Sequence, residues 1–284
     1  MFETEQIELY PKAEKNDKIA LIDADTIAFA ACSVCEYQYY DIHSGDDKWD
    51  ININDALNHA LEKIQQILDS TGCCDAELHF TSGMNFRYTV DPQYKSNRNN
   101  QRRPEGLREL KVLLLNEYPG SLNTHLEADD MVAYLKKRYP DKYIMCAIDK
   151  DILYSVPGRH FNYYSKLEAK GGAIMPKFIE VDEYDAKLYN YKQAIIGDPT
   201  DGIKGVPGLG KAKVEKLFRP NMTEFEMWET VVKAYKTKGM DMIDAMITMQ
   251  LVSVHQVITD ENGNPKLELF NPYTLEGVEN GDSN

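Results

Sequence analysis

Between residues 18 and 165 the chain alternates strand-length apolar runs with longer segments that read as helices. Lys18 to Asp23, Glu77 to Thr81, Tyr143 to Ile148 and His160 to Tyr164 are short and bounded by polar residues, which marks them as strands. Between them lie helical segments at Thr26 to Cys35, Asn54 to Ser70 and Glu127 to Arg138. In the second of these, Ala56, Leu57, Ala60, Leu61, Ile64, Ile67 and Leu68 recur at helical spacing. Strand–helix–strand alternation requires crossover connections, and crossovers leave the strands parallel with helices over the sheet. The predicted fold class is therefore α/β, a mostly parallel sheet flanked by helices in three layers.

Past about residue 180 the pattern becomes helical: Asp182 to Ile196, Lys211 to Phe218, Thr223 to Lys236 and Asp241 to Gln256. This divides the chain into an α/β domain over 1–180, a helical region over 181–258 and a tail over 259–284. The segment Asp260 to Pro265 reads as a turn, and the acidic tail beyond Pro272 is expected to be loose. There is no internal repeat and no low-complexity segment.

Acids gather where the strands should end. Asp23 and Asp25 follow the first strand. Glu127, Asp129 and Asp130 open a helix, Asp149 and Asp151 follow a third strand, and Asp198 and Asp201 precede a glycine-rich turn. Ligands of open α/β sheets bind beyond the carboxyl ends of the strands. Carboxylates converging there repel one another unless cations intervene, and an oxygen-only donor set without paired His or Cys suits Mg²⁺ or Mn²⁺. Taken singly, Asp129 or Asp149 reads as a helix cap and Asp130 as a first-turn dipole partner. Their recurrence at separate strand ends or loops is what favours a metal role.

Gly197-Asp198-Pro199-Thr200-Asp201-Gly202-Ile203-Lys204-Gly205-Val206-Pro207-Gly208-Leu209-Gly210-Lys211 is a tight double-glycine hairpin followed by a lysine-rich helix start. Gly208 and Gly210 allow close backbone approach with amides free to donate, and Lys211, Lys213, Lys216 and Arg219 add positive charge. A nucleic-acid backbone phosphate fits such a site. A second basic stretch runs from Met84 to Lys111, with seven basic residues against three acids in a chain of formal net charge −14. Phe86, Tyr88 and Tyr94 interleave with it, the composition of a surface that stacks on bases and contacts phosphates. Arg87, Tyr94, Arg102 and Arg103 are the expected contacts; a solvated surface loop is the alternative.

The remaining features are structural. The five cysteines read as free thiols of a reducing, cytoplasmic compartment, with Cys32 and Cys35 packing on a helix face. Cys73 and Cys74 are adjacent and make awkward partners. Met1 to Lys18 reads as neither secretory signal nor transit peptide, and no apolar run reaches membrane-spanning length. His255 is expected to be a hydrogen-bonded structural histidine in an apolar helix. Trp228, with Phe225 and Val232, is assigned to a core, and Tyr163-Tyr164 to a strand face.

As an ordered set these motifs resemble the 5′-nuclease superfamily of flap endonucleases and 5′→3′ exonucleases. They are most similar to its bacteriophage members and to the 5′-nuclease domain of bacterial DNA polymerase I. The motifs are Leu21-Ile22-Asp23-Ala24-Asp25; Phe86-Arg87 with Tyr94-Lys95-Ser96-Asn97-Arg98; Glu127-Ala128-Asp129-Asp130; Ile148-Asp149-Lys150-Asp151; and Gly197-Asp198 through Gly210. The resemblance spans roughly Lys18 to Val257. It implies a PIN-like α/β domain, with a basic arch at about 84–120 and a helix–three-turn–helix motif at about 185–218 in the C-terminal helical region. It also implies a phosphodiesterase using two Mg²⁺ (or Mn²⁺). The first ion would be held by Asp23, Glu127, Asp129 and Asp130, the second near Asp149, Asp151, Asp198 and Asp201. Lys95 and Arg98 would contact the scissile phosphate as catalytic residues. Gly205, Gly208, Gly210, Lys211 and Lys213 would hold the duplex backbone, with K⁺ as an option at the Gly205–Gly210 hairpin. The implied partner is DNA with 5′ ends, flaps or nicks, with RNA–DNA hybrid as a second option. The implied protein is a monomer off the membrane, in the host cytoplasm if phage-encoded.

One departure stands out. Many members carry an aspartate after the second strand, where this chain reads Thr81-Ser82. The first metal is expected to bind more weakly for it, unless Asp25 compensates. Two rival readings remain. Asp23-Ala24-Asp25-Thr26 approaches the nucleophile motif of haloacid-dehalogenase-like phosphatases, which would make Asp23 a covalent nucleophile. A DNA-binding relative that has lost catalysis is the other.

Overall fold

A computed structural model describes residue 10, residues 12–168 and residues 172–275. In chain order the elements are β1 Ile19–Asp23, α1 Asp25–Cys35, β2 Glu36–Asp41, β3 Asp46–Ile51, α2 Ile53–Thr71, β4 Asp75–Thr81, α3 Arg87–Val90, α4 Leu107–Glu117, β5 Gly120–Asn123, α5 Ala128–Arg138, β6 Tyr143–Ala147, α6 Lys150–Ser155 and β7 Gly158–Asn162. Then follow β8 Lys166–Glu168, β9 Gly172–Ile174, β10 Lys177–Val181, α7 Glu183–Ile196, β11 Gly197–Asp198, β12 Ile203–Lys204, α8 Lys211–Val214, α9 Glu224–Lys236, α10 Met242–Val252, β13 Val257–Thr259 and β14 Pro265–Leu267.

The chain folds as two compact units. Of the described residues, the first holds those up to 83, 102–153 and those from 159 to 180; the second holds 84–101, 154–158 and those from 181 to 275. One passage between the units falls at 180–181, and the basic segment is divided between them. Residues 84–101 cluster with the helical unit and 102–120 with the α/β unit.

The α/β unit is built on a six-stranded sheet of order β10-β7-β6-β1-β4-β5. β1 lies between β4 and β6 and runs parallel to both, pairing Asp23 with His79 on one side and Ile22 with Cys146 on the other. β4 with β5 and β6 with β7 are also parallel. Ala20, Leu21 and Ile22 of β1 and every residue of β6 are buried, as strands covered on both faces must be. The chain builds outward from β1 through β4 to β5, then returns to place β6 on the other side of β1. That reversal is the switch point of the sheet, and Asp23 is the last residue of β1.

Elements with weak apolar alternation escaped the sequence reading: the β2–β3 hairpin, β5 and β10. Tyr37, Tyr39, Tyr40 and Trp49 of the hairpin are exposed, so no buried face imprints a period on it. β7 ends at Asn162, which leaves Tyr163 buried and Tyr164 exposed beyond the strand rather than on its face. Cys32, Cys73 and Cys146 pack in the core, and all five cysteines are free.

In the helical unit α7, α9 and α10 pack on one another around Tyr191, Ile195, Trp228, Val231, Tyr235 and Met249. Thr223 with Glu226 and Asp241 with Asp244 close capping boxes at the starts of α9 and α10. Trp228 is buried with its ring 5.0 Å from Phe270. α10 ends at Val252, so His255 lies beyond the helix expected to carry it; its Nε2 stands 2.6 Å from the Ser155 carbonyl oxygen. Among the described residues no helix is long and apolar enough to cross a membrane. The tail past residue 275 lies outside the described residues.

Candidate active site

The acids of the α/β unit arrive from three places. Asp23 closes β1, Glu127 caps α5, and Asp149 follows β6. Loss of hydration pushes the Asp23 carboxyl up to about 7; the charge of Asp25 comes second, then those of Asp149 and Glu127, against a lowering hydrogen bond from the Asp25 N–H. Carboxylates far apart in sequence thus bear electrostatically on one half-buried group at the switch point. This donor set is all oxygen, and the charge crowding is of the kind a hard divalent cation relieves. Among the described residues no group of three or more His, Cys, Asp or Glu side chains stands within ligating reach of a common point. The acids surround a locus without converging on it.

Several of them also cap helices, as the alternative reading of single aspartates anticipated. The Glu127 N–H donates to Asp130 Oδ2 at 3.0 Å, and the Glu127 side chain accepts from the Asp130 N–H. Asp130 is fully buried, whereas Asp129 is half-buried and accepts from the Asp130 N–H at 2.9 Å. Asp149 is exposed and accepts from the Asp151 N–H at 2.8 Å at the start of α6.

At the end of β4, Thr81 is held by polar contacts. Its Oγ1 accepts from the Ala128 N–H at 2.9 Å, and its own N–H lies 3.2 and 3.1 Å from the two carboxylate oxygens of Asp25. Lys111 Nζ donates to Asp25 Oδ1 at 2.5 Å and to the Thr81 carbonyl at 2.8 Å. Asp25 is therefore ion-paired. Lys111 was not singled out from the sequence, and no local signal could have found it, since its partner lies 86 positions away.

In the helical unit Asp201 is an ion-pair hub, which differs from its expected place among metal ligands. Its Oδ1 pairs with Arg98, and its Oδ2 accepts from Tyr94 Oη at 3.0 Å and stands 3.3 Å from Lys95 Nζ. The Lys95 N–H donates to the Asp201 carbonyl at 2.9 Å, with Lys95 in the left-handed region at φ 55°. Asn97 Nδ2 reaches the carbonyls of Pro199 and Thr200 at 3.1 Å each. Residues 94–98 are thereby fastened to the loop 199–201. Asp198 is half-buried and accepts from the Thr200 N–H at 2.8 Å.

The hairpin glycines divide by role. Gly205 packs so closely that a Cβ would lie 2.3 Å from the Ile195 carbonyl oxygen; its need is structural, not ligand approach. Gly208 has φ +79° with open space beside it, and Gly210 is also open, which suits approach of a backbone. Lys211 and Lys213 are exposed, and Lys213 Nζ donates to the Gly208 carbonyl at 2.9 Å.

Two expected nucleic-acid contacts are corrected. Arg87 is buried, donating from Nε to the Leu251 carbonyl at 2.8 Å and from Nη2 to the Ser253 carbonyl at 3.0 Å. Tyr94 is buried edge-on to Tyr88, its hydroxyl spent on Asp201. Neither offers a surface for stacking. Arg103 is exposed; Arg102 pairs with Glu36 and stacks over Trp49 at 4.0 Å.

No protein-family model matches the chain. An exonuclease of Escherichia phage T7 is 28% identical over 242 residues, covering 78% of this chain and 73% of its own length. An exodeoxyribonuclease of Enterobacteria phage T3 is 29% identical over 240 residues, covering 78% and 72%. Among solved structures, a T5 5′-exonuclease with bound divalent metal ions (zinc) has a TM-score of 0.53 at 17% identity, covering 84% of this chain and 90% of its own. The catalytic core of Rad2 in complex with DNA substrate has a TM-score of 0.50 at 14% identity, covering 78% and 65%. The mostly parallel α/β fold is the one these proteins share, and the resemblance read from the motifs holds at the level of sequence similarity and fold.

Proposed function

We propose that this chain is a divalent-metal-dependent 5′-nuclease, hydrolysing phosphodiester bonds at or near DNA 5′ ends as a 5′→3′ exonuclease and flap endonuclease. The observation that carries it is the placing of Asp23 at the end of β1, Asp149 after β6 and Glu127 at the start of α5, around the switch point of the sheet, where burial first and neighbouring carboxylate charge second raise the Asp23 carboxyl. Like charge held there burdens the metal-free chain, which favours cation binding over a purely structural role. The two phage relatives, nucleases by name, support this reading over a phosphatase.

The cations are two Mg²⁺, with Mn²⁺ as alternative. Asp23, Glu127, Asp129, Asp130, Asp149 and Asp151 are the residues of the α/β unit that would hold them, and Asp198 is the candidate of the helical unit. When bound, such ions supply an activated water and steady the leaving oxygen. Lys95 and Arg98 offer positive charge to phosphoryl oxygens, with Asp201 as their counter-ion in the absence of DNA. Gly208, Gly210, Lys211 and Lys213 take non-reacting backbone phosphates, and K⁺ at the Gly205–Gly210 hairpin is part of this reading. RNA in RNA–DNA hybrid offers the same phosphates. A monomer acting in the cytoplasm of an infected host fits the phage relatives.

The test is digestion of 5′-labelled flap, nicked, blunt and single-stranded DNA with Mg²⁺, Mn²⁺ or chelator. Metal-dependent products released from the 5′ side are expected. No cleavage with either metal, or a phosphoenzyme trapped on Asp23, would overturn the proposal.

A further inference from the structure

Lys111 is a cation beside the acids that no part of the reading above uses. It sits on α4, and its side chain is only 12% exposed. Its ammonium bridges Asp25 Oδ1 and the Thr81 carbonyl, while Asp25 takes the Thr81 N–H. The three residues close a ring of contacts that ties α4 to the start of α1 and the end of β4. The ring extends in two directions. The Asp25 N–H lies 3.3 Å from Asp23 Oδ1, and Thr81 Oγ1 accepts from the first residue of α5, next to Glu127. Two of the places that deliver acids are thus stitched to Thr81, where the strand ends without a carboxylate of its own.

We propose that Lys111 is a positioning residue and a built-in counter-cation: by neutralising Asp25 it weakens divalent-ion binding at the neighbouring Asp23 locus and holds the metal-free acids together. This rests on the metal reading above for the locus alone. A fixed positive charge beside Asp25 reduces the negative potential that an incoming cation meets. Removing it leaves Asp25 uncompensated, with its carboxylate still held at the Thr81 N–H. A merely structural role predicts the opposite sign, since loosening α1 or β4 would scatter the ligands and weaken metal binding.

The experiment is Mn²⁺ binding to the full chain, read by calorimetry and by the paramagnetic resonance signal of free Mn²⁺, with thermal melts of each variant with and without Mn²⁺. A charge change at this range should alter affinity by about three- to tenfold. Lys111→Met should bind Mn²⁺ more tightly by that factor, melt lower without metal and recover with it. Lys111→Arg should behave as wild type. Asp25→Asn should bind Mn²⁺ more weakly by a similar factor, and Lys111→Met combined with Asp25→Asn should return close to wild type. Unchanged or weaker binding in a folded Lys111→Met overturns the proposal. If that variant does not fold, unchanged or tighter binding in Asp25→Asn overturns it instead. Wild-type protein that binds no Mn²⁺ overturns the metal reading and this inference together. Mn²⁺ binding that ignores both charges overturns this inference alone.

Discussion

Arg87→Ala separates a DNA contact from a structural anchor. The guanidinium donates to the carbonyls of Leu251 and Ser253, at and just past the end of α10, and lies 4.6 Å from the centre of the Phe86 ring. The last carbonyls of a helix lack intrahelical partners, and a cation there also meets the negative end of the helix dipole. Hydrogen bonds from a charged donor contribute roughly 1.5–3 kcal/mol each. The two bonds give about 3–6 kcal/mol, and removing a desolvated charge returns part of that. A net loss of about 3 kcal/mol is expected, or roughly 6–12 °C in Tm. Urea unfolding followed by tryptophan fluorescence, in a Trp49→Phe background that leaves the buried Trp228, reads the helical unit. Salt-titrated binding to a 5′-flap DNA, at a temperature where the variant is folded, supplies the second measurement. Its log–log salt slope should match wild type, since a buried guanidinium releases no counterions from DNA. An unchanged unfolding midpoint with weaker binding and a flatter slope would refute the anchor and restore the sequence-based expectation.

Other outcomes are equally specific. The Asp23 carboxyl ionises at about 7 when folded and near 3.8 in its unperturbed state. The native chain thus holds this proton to higher pH, and metal-free stability is lost as pH rises through that window. Chelator-treated Asp23→Asn should match wild type near pH 4 and exceed it at pH 8, by at most about 4 kcal/mol in urea titrations; equal stability at pH 8 would contradict the burial and neighbouring charge that raise this carboxyl. Lys211→Ala with Lys213→Ala should raise KM, spare kcat and reduce the salt slope by about 0.9 per lost contact; a change in kcat alone would refute the backbone role. Asp201→Asn releases Lys95 and Arg98, so DNA binding should tighten at low salt with a steeper slope; an unchanged slope would refute the ion-pair hub.

The sequence by itself determined the class of fold and the positions of the acids, because both are written locally. Apolar runs such as Ala20-Leu21-Ile22 fix the central strand, since a strand covered on both faces can be built only from apolar residues. Asp23 ends one strand and Asp149 follows another, both with legible ends, and α2 and α9 carry their own periodicity and caps. The glycine hairpin announced itself for the same reason, because Gly208 at φ +79° favours glycine whatever lies elsewhere. Tertiary structure alone decided what each charge meets. Arg87, Arg102 and Arg103 look alike in a basic segment, yet one is buried under α10, one stacks on Trp49 and one is exposed. Asp201 looks like Asp198 but its carboxylate meets Tyr94, Lys95 and Arg98, all more than a hundred positions away. Lys111 carried no mark, because its function depends on a partner brought near by the packing of α1 and α4. Backbone preference and burial period are short-range properties of the chain, whereas the charge environment of a side chain is a sum over residues that only the completed fold brings together.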